Sequence, residues 1–346
     1  MFKWKKFTGD KDQWDYSVSQ FDGNYRQCFS WGEYKKELGW DVYRYIGTDH
    51  DTVKFAVQLI VRRFLFITVV YIPGGVSGND RGYCHSIKEL ISSLFRFSLI
   101  YVRLDSGYVA NEEVETLFVK NGWFRPNHRL NASISMRHIF EKNDGEIMPD
   151  ASKKWKYNLR RSKKNEAKVI FDGDIQPTEI FRISNEMQES KKIYLRGKPK
   201  HLAESALKIM HYFEDRFVFA QCVDKHGNMI GFRSAITVYD KAWDLYGAMD
   251  INGRKFKSGY LLLFELMNEC KNRGIKTFNL GGVEFANSPG VAKFKFDTGG
   301  ELYEFVSEWE YTNFIFLRYI INFYLDIKFN PILLKYSQRS SNSASL

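Results

Sequence analysis

The sequence predicts a mixed α/β fold arranged as two tandem domains, and three observations carry that expectation. The chain has 346 residues, more than one hydrophobic core usually organises. Runs rich in β-branched and aromatic residues alternate with segments of helical periodicity through both halves. In the second half, three strands at 217–223, 229–238 and 241–249 form a meander, followed by a helix at 258–272 and a strand at 276–280.

The first half begins with a short helix at 31–38, where Trp31, Tyr34 and Leu38 share a face and Gly39 ends the run. Lys35 and Lys36 fall on different faces of this helix, so only one can point into a site. Strands follow at 53–59 and 64–71 with Arg62 and Arg63 at the expected hairpin, and Pro73, Gly74 and Gly75 end the second strand. A helix at 85–97, a strand at 99–104, a helix at 111–121 and a strand at 132–140 complete this half. The polar stretch 141–150, with Gly145 and Pro149, marks the expected boundary, giving domains at 1–147 and 148–311.

Asp150 or Ser152 caps a basic helix at 153–168 that carries Lys153, Lys154, Lys156, Arg160, Arg161, Lys163, Lys164 and Lys168 against the single acid Glu166. Its inner stripe is Trp155, Leu159 and Ser162. The basic face reads as a surface for a polyanion or as a solvated helix face. A strand at 169–171 and helices at 178–190 and 202–213 lead into the meander. In the helix at 258–272, Tyr260, Leu263, Phe264 and Met267 form the expected buried stripe.

The stretch 278–311 holds the densest cluster of chemical possibilities. An apolar strand runs into Gly281 and Gly282, which allow a tight turn and close backbone approach to a ligand. Lys293 and Lys295 then alternate with Phe294 and Phe296, a pattern that reads as a half-buried strand unless it is broken near Gly290 or Asp297.

Composition narrows the field. A net charge of +10 favours polyanionic partners such as RNA, phosphorylated metabolites or an anionic membrane face. Cys28, Cys84, Cys222 and Cys270 show neither metal-ligand spacing nor a disulfide framework, and no metal site or Ser-His-Asp constellation is legible. No signal peptide or transmembrane run is present, so a reducing cytosol is expected. The apolar segment 314–327 is too short to span a bilayer; it reads as a terminal helix packed on a domain or lying on a membrane. The Ser-rich end, 337–346, reads as a flexible tail.

The meander, helix and strand order is that of an N-acetyltransferase-like (GNAT) unit, and INGRKFKSGYLLLFELM resembles the GNAT acyl-CoA loop, with Gly259 opening a helix, although the second glycine is lacking. Over 21–311 the chain resembles the Fem family of aminoacyltransferases, tandem-GNAT enzymes that add amino acids to peptidoglycan precursors. The stretches that carry this are QFDGNYRQCFSWGEYKKELGW, YIPGGV, DLYGAMD, FNLGGVE and FKFDTGG. YIPGGV has Gly75 where the family usually has proline. No charged heptad run appears, so the resemblance is to the short form without a helical arm.

The resemblance implies two tandem GNAT-like domains, with a terminal helix at 312–336 rejoining the first, and a monomer. It implies that Lys35, with Lys36 as the alternative, and Arg216 hold the diphosphate of a nucleotide-linked acceptor. Lys295 would stand near the reacting carbonyl, and Asp105 in YVRLDSG would act as base or amine-positioning group. The glycine turns Gly74–Gly75 and Gly281–Gly282 would line the site. The implied co-substrate is aminoacyl-tRNA, with no tightly bound cofactor, and the acceptor is a nucleotide- or lipid-linked envelope precursor. The protein would be cytoplasmic; the segment 314–327 is more apolar than the resemblance leads one to expect, so it either packs on the first domain or makes peripheral contact with the membrane. Two other readings stay open at this point: an acyl-CoA dependent N-acyltransferase acting on an amino sugar, and a non-catalytic RNA- or membrane-binding module.

Overall fold

The computed structural model describes residues 2–21, 23–78, 82–143, 146–165, 167–171, 175–191, 199–285 and 288–329. The expected tail at 337–346 and the end of the expected terminal helix, 330–336, lie outside these. The chain divides into one unit of residues 1–133 and 305–346 and a second of 134–304.

The first unit opens with β1 (Lys3–Lys6) and α1 (Lys11–Ser19), whose start is closed by a reciprocal capping box between Asp10 and Gln13. After α2 (Phe29–Glu37) come β2 (Asp41–Asp49), β3 (Thr52–Phe64) and β4 (Ile67–Ile72), an antiparallel meander, with β5 (Ser77–Gly78) paired to β3. Strand β2 has no counterpart in the sequence-based expectation. Arg62 and Arg63 do not form the hairpin; they lie in β3, and the turn is at Leu65 and Phe66, where Leu65 takes a left-handed φ of 50°. Their guanidinium groups stack over Trp40 at 4.6 Å and Phe95 at 5.5 Å, which lets two charges sit near the end of the strand. Helix α3 (Tyr83–Leu94) then crosses to β6 (Leu99–Val109), which runs parallel to β4, and α4 (Glu112–Lys120) follows.

The second unit begins with β7 (Ile134–Ile139), α5 (Lys153–Lys163), β8 (Lys168–Ile170), α6 (Pro177–Lys191) and α7 (Pro199–Phe213). The meander is β9 (Phe217–Val223), β10 (Met229–Val238) and β11 (Lys241–Met249). The short helix α8 (Ile251–Lys255) and α9 (Ser258–Asn272) carry the chain over to β12 (Thr277–Gly282), parallel to β11. Then come α10 (Pro289–Phe296), β13 (Glu301–Thr312) and α11 (Ile315–Phe329). The buried stripe of α9 is Leu262, Leu263, Leu266, Met267 and Cys270; Tyr260 and Phe264 are only half-buried at its edge, because the helix is seated deep in the core and covered on more than one side.

Each half thus has a meander, a crossover helix and a parallel fourth strand, and both sheets are completed out of sequence order. Strand β7 follows the first half in sequence yet pairs with β12, and residues 301–304 of β13 add to β7. Residues 305–312 of β13 pair instead with β6. This exchange puts the division at 133/134 and 304/305, where composition had suggested 147/148 and 311/312. A polar loop signals a break in local structure, whereas unit membership follows strand pairing.

Candidate functional site

Lys293 and Lys295 are not on a strand. They lie on α10, with Ser288 as N-cap residue and Pro289 in the first turn, where a missing N–H costs nothing. Residues two apart on a helix point in nearly opposite directions. Lys293 accordingly turns to solvent and pairs with Asp297 at 3.2 Å, while Lys295 turns inward and its Nζ donates to the Gly282 carbonyl oxygen at 2.9 Å. The Gly281–Gly282 corner that receives it is held by Asn279, whose Oδ1 accepts the Gly281 N–H at 2.6 Å and the Ser135 hydroxyl at 2.9 Å. Gly281 has φ +71°, a conformation that a side chain would strain. Burial lowers the pKa of Lys295, opposed by the Asp244 carboxylate and reinforced by Arg233.

Those three groups line one cavity of about 650 Å³, together with Gly247, Gly259 and Tyr260. Arg233 and Asp244, on neighbouring strands β10 and β11, form a two-pronged pair with both contacts at 2.7 Å and little exposure. Phe294 supports them from below: it packs against Tyr260 and Trp155, and the Arg233 guanidinium stands 5.6 Å from its ring. Gly259 has a packing reason, since an added Cβ would come within 2.7 Å of the Met249 sulfur. The presumed loop before it is helix α8, capped by Asp250. Arg216 does not line this cavity; it ends a 3₁₀ turn before β9, near Phe213, and its carbonyl accepts from Thr237.

The first unit brings together Asp105, Lys35 and the Gly74–Gly75 turn. Asp105 on β6 meets the Arg26 guanidinium at 3.2 Å and accepts the Gly74 N–H. Burial pushes its carboxyl up to about 6, Arg26 opposes the rise and Glu308 adds to it. Arg26 also donates to Asn131, which in turn donates to Glu308 at 2.9 Å and to the Tyr71 hydroxyl at 3.3 Å. Gly74 and Gly75 both have positive φ, and a Cβ on Gly75 would press on the backbone of Asp105 to Gly107 at 3.1–3.2 Å, so the turn seats directly on the Asp105 strand. Lys35 and Lys36 divide as their helical spacing requires. Lys36 is an exposed partner of Glu33 at 2.9 Å. Lys35 lies over the Trp31 and Tyr34 rings at 4.7 and 4.8 Å, and burial, aided by Arg26, lowers its pKa to about 8.

The basic helix is α5, and it ends at Lys163, short of the expected 168, in the Lys164 cap. Ser152, not Asp150, caps it by accepting the Trp155 N–H at 3.1 Å. Trp155, Asn158 and Ser162 are buried, while Lys153, Lys154, Lys156, Arg160, Arg161, Lys163 and Lys164 are all exposed. Lys163 leans on Phe264 and pairs loosely with Glu265 at 3.6 Å.

Arg26, Arg233 and Asp244 escaped the sequence reading. Arg26 stands inside QFDGNYRQCF, and the register of the β10–β11 hairpin would have placed Arg233 within diagonal reach of Asp244.

Two meander-helix-strand units in succession, each with a parallel fourth strand, make a tandem GNAT-like fold. The solved structure of FemX matches with a TM-score of 0.76 at 15% identity, over 92% of this chain and 100% of that one. A tandem GNAT protein from the clavulanic acid biosynthesis pathway matches with 0.54 at 13% identity, over 90% and 98%. The FemAB family model matches residues 183–313. Lipid II:glycine glycyltransferase of Staphylococcus haemolyticus (strain JCSC1435) is 22% identical over 371 residues, 84% of this chain and 88% of that protein. The chain is thus similar to Fem-type proteins, through the family model over 183–313 and through these relatives over most of its length.

Proposed function

We propose that the protein is an aminoacyltransferase that moves an amino acid from aminoacyl-tRNA to an amine of a peptidoglycan or other cell-envelope precursor. The acceptor amine attacks the ester carbonyl, the carbonyl oxygen becomes an oxyanion, and the C–O bond to the tRNA ribose breaks as the amide forms. The observation that carries the reading is the placement of Lys295: half-buried, on the wall of a cavity, at a glycine corner. An ammonium fixed there stabilises the tetrahedral oxyanion more than the neutral ester, which is what lowers a barrier. The ester is already activated, so amine deprotonation and alignment supply the remainder, and no protein nucleophile is needed.

Asp105, with its carboxyl raised to about 6, is ionised at neutral pH yet basic enough to take a proton from, or hold, an acceptor ammonium. Lys35 and Arg216 are assigned to the acceptor diphosphate, with Lys36 displaced from that role by its bond to Glu33. The exposed basic face of α5 is assigned to tRNA phosphates. The protein acts as a cytoplasmic monomer. Support for an envelope-precursor acceptor comes from the family match and from the lipid II specificity in the name of the staphylococcal relative. Incubation with labelled aminoacyl-tRNA and, separately, labelled acetyl-CoA tests the donor: label should pass to the precursor from the tRNA ester alone, and passage from the thioester alone would replace this reading by the acyl-CoA one.

A further inference from the structure

Helix α11 carries a broad apolar stripe on its outer face. Its polar residues face the first unit: Arg318 bonds to Glu310 and to the Arg125 carbonyl, Asn322 to Glu310 at 3.0 Å, and Asp326 to His128. Leu317 is buried and Ile321 and Leu325 are half-buried, but the larger apolar set faces away. Phe316, Tyr319, Ile320, Phe323, Tyr324 and Ile327 are all exposed, at the spacing i, i+3, i+4, i+7, i+8 and i+11 of one continuous stripe. Among the described side chains no charged residue lies on that stripe. A helix that only closes a soluble domain does the reverse.

A second apolar feature lies at the start of this helix. The β3–β4 turn projects Leu65, fully exposed, and Phe66, and the loop after α3 projects Phe97, 86% exposed. These loops are tied to the α11 entrance: Leu99 N–H donates to the Phe66 carbonyl at 2.8 Å, and Asn313 bonds to the Ser98 carbonyl at 3.0 Å and the Ile100 N–H at 2.8 Å. Arg96 stands beside Phe97 at 4.5 Å, and Arg63, which also meets Asp41 at 3.8 Å, precedes the turn.

We infer that this end of the first unit is a docking surface for an anionic lipid bilayer, with the α11 stripe lying in the interface and Leu65, Phe66 and Phe97 inserted beside it. Exposed apolar residues flanked by arginines and tyrosines within the stripe fit the boundary between acyl chains and phosphate headgroups, and the nearby acids Asp41 and Asp326 are paired with Arg63 and His128. The choice of occupant leans on the proposed function, since docking would bring the enzyme to a lipid-linked acceptor, but the test does not. The full chain is sedimented with vesicles of phosphatidylglycerol and phosphatidylcholine that contain neither donor nor acceptor, so failure to bind leaves the transferase reading standing, and failed transfer leaves docking standing.

Binding should fall at least about tenfold on pure phosphatidylcholine, and by as much for Ile320→Glu/Phe323→Glu. Leu65→Glu/Phe97→Glu alters side chains that are almost entirely in solvent and keeps the test decisive should the helix variant misfold; it should bind at least about tenfold more weakly with an unchanged circular dichroism spectrum. Absence of wild-type binding, binding unaffected by either folded double variant, or binding that appears only after removal of 330–346 would each overturn the inference. So would wild-type chain that ignores vesicles and elutes as a dimer separated by Ile320→Glu/Phe323→Glu, which would assign the stripe to a second copy.

Discussion

Replacing Lys295 by Met removes the ammonium and keeps a stem of similar length on α10. An ammonium about 4 Å from an oxyanion is worth about 4 kcal/mol at the effective dielectric of a partly buried site. Two features of the structure reduce that figure: the Nζ already donates to the Gly282 carbonyl at 2.9 Å, and the field of Asp244 reaches it. A net loss of about 3–4 kcal/mol remains, and kcat should fall by about two to three orders of magnitude with KM for both substrates within about twofold. Burial depresses the Lys295 pKa in the fold, so the charged form is disfavoured there relative to the unfolded chain. The variant should therefore melt at the same temperature or higher at neutral pH. Single-turnover transfer from labelled aminoacyl-tRNA measures the rate, and thermal melting controls for folding. A kcat within about threefold of wild type in a normally folded variant would refute the oxyanion role and make Lys295 a prop for the glycine corner.

Loss of activity on acidification should follow Asp105. Its raised pKa means it gains a proton as pH falls through about 6, so kcat/KM should drop below that pH, and Asp105→Asn should lower the plateau and abolish this limb of the profile. Lys35→Ala should raise KM for a phosphorylated acceptor by about tenfold, as expected for a charge-assisted contact, while Lys36→Ala stays within about twofold; because the Lys35 pKa is lowered to about 8, acceptor affinity should weaken as pH rises through that value. Arg160→Glu/Arg161→Glu should raise KM for charged tRNA and flatten its salt dependence by about two phosphate contacts, measured from 50 to 200 mM salt. Glu310→Ala leaves Arg103 and Arg318 without a buried carboxylate they both use, and urea denaturation should show about 3–5 kcal/mol of lost stability.

Local pattern made much of this fold readable. The strands at 217–223, 229–238 and 241–249 and the helix at 258–272 have the same bounds in sequence and structure, because apolar alternation, turn residues and helical period agree there. Where two periods compete, the reading failed. KFKF is too short to separate a strand from a helix, and Pro289 just before it was the deciding signal. Arg62 and Arg63 separate two apolar runs and so suggest a hairpin; stacking on Trp40 and Phe95 instead keeps them within the strand. The exchange of β7 and β13 depends on pairing between segments far apart in sequence, as in Thr277 with Ile139 and Trp309 with Leu104, and no local pattern encodes such pairs. At the site, individual residues could be singled out but their companions could not. Arg26 beside Asp105 and Arg233 beside Asp244 arise from packing, and the outward turn of the α11 stripe depends on which face holds Glu310.

The account stands most directly on what the product carries. When a purified cell-envelope precursor is incubated with the protein and an equimolar mixture of aminoacyl-tRNA and acetyl-CoA, aminoacyl transfer predicts a mass increase of one amino-acid residue and a new free α-amine that reacts with an amine-selective reagent. An acetyl increment with loss of the acceptor amine and no new one would contradict it.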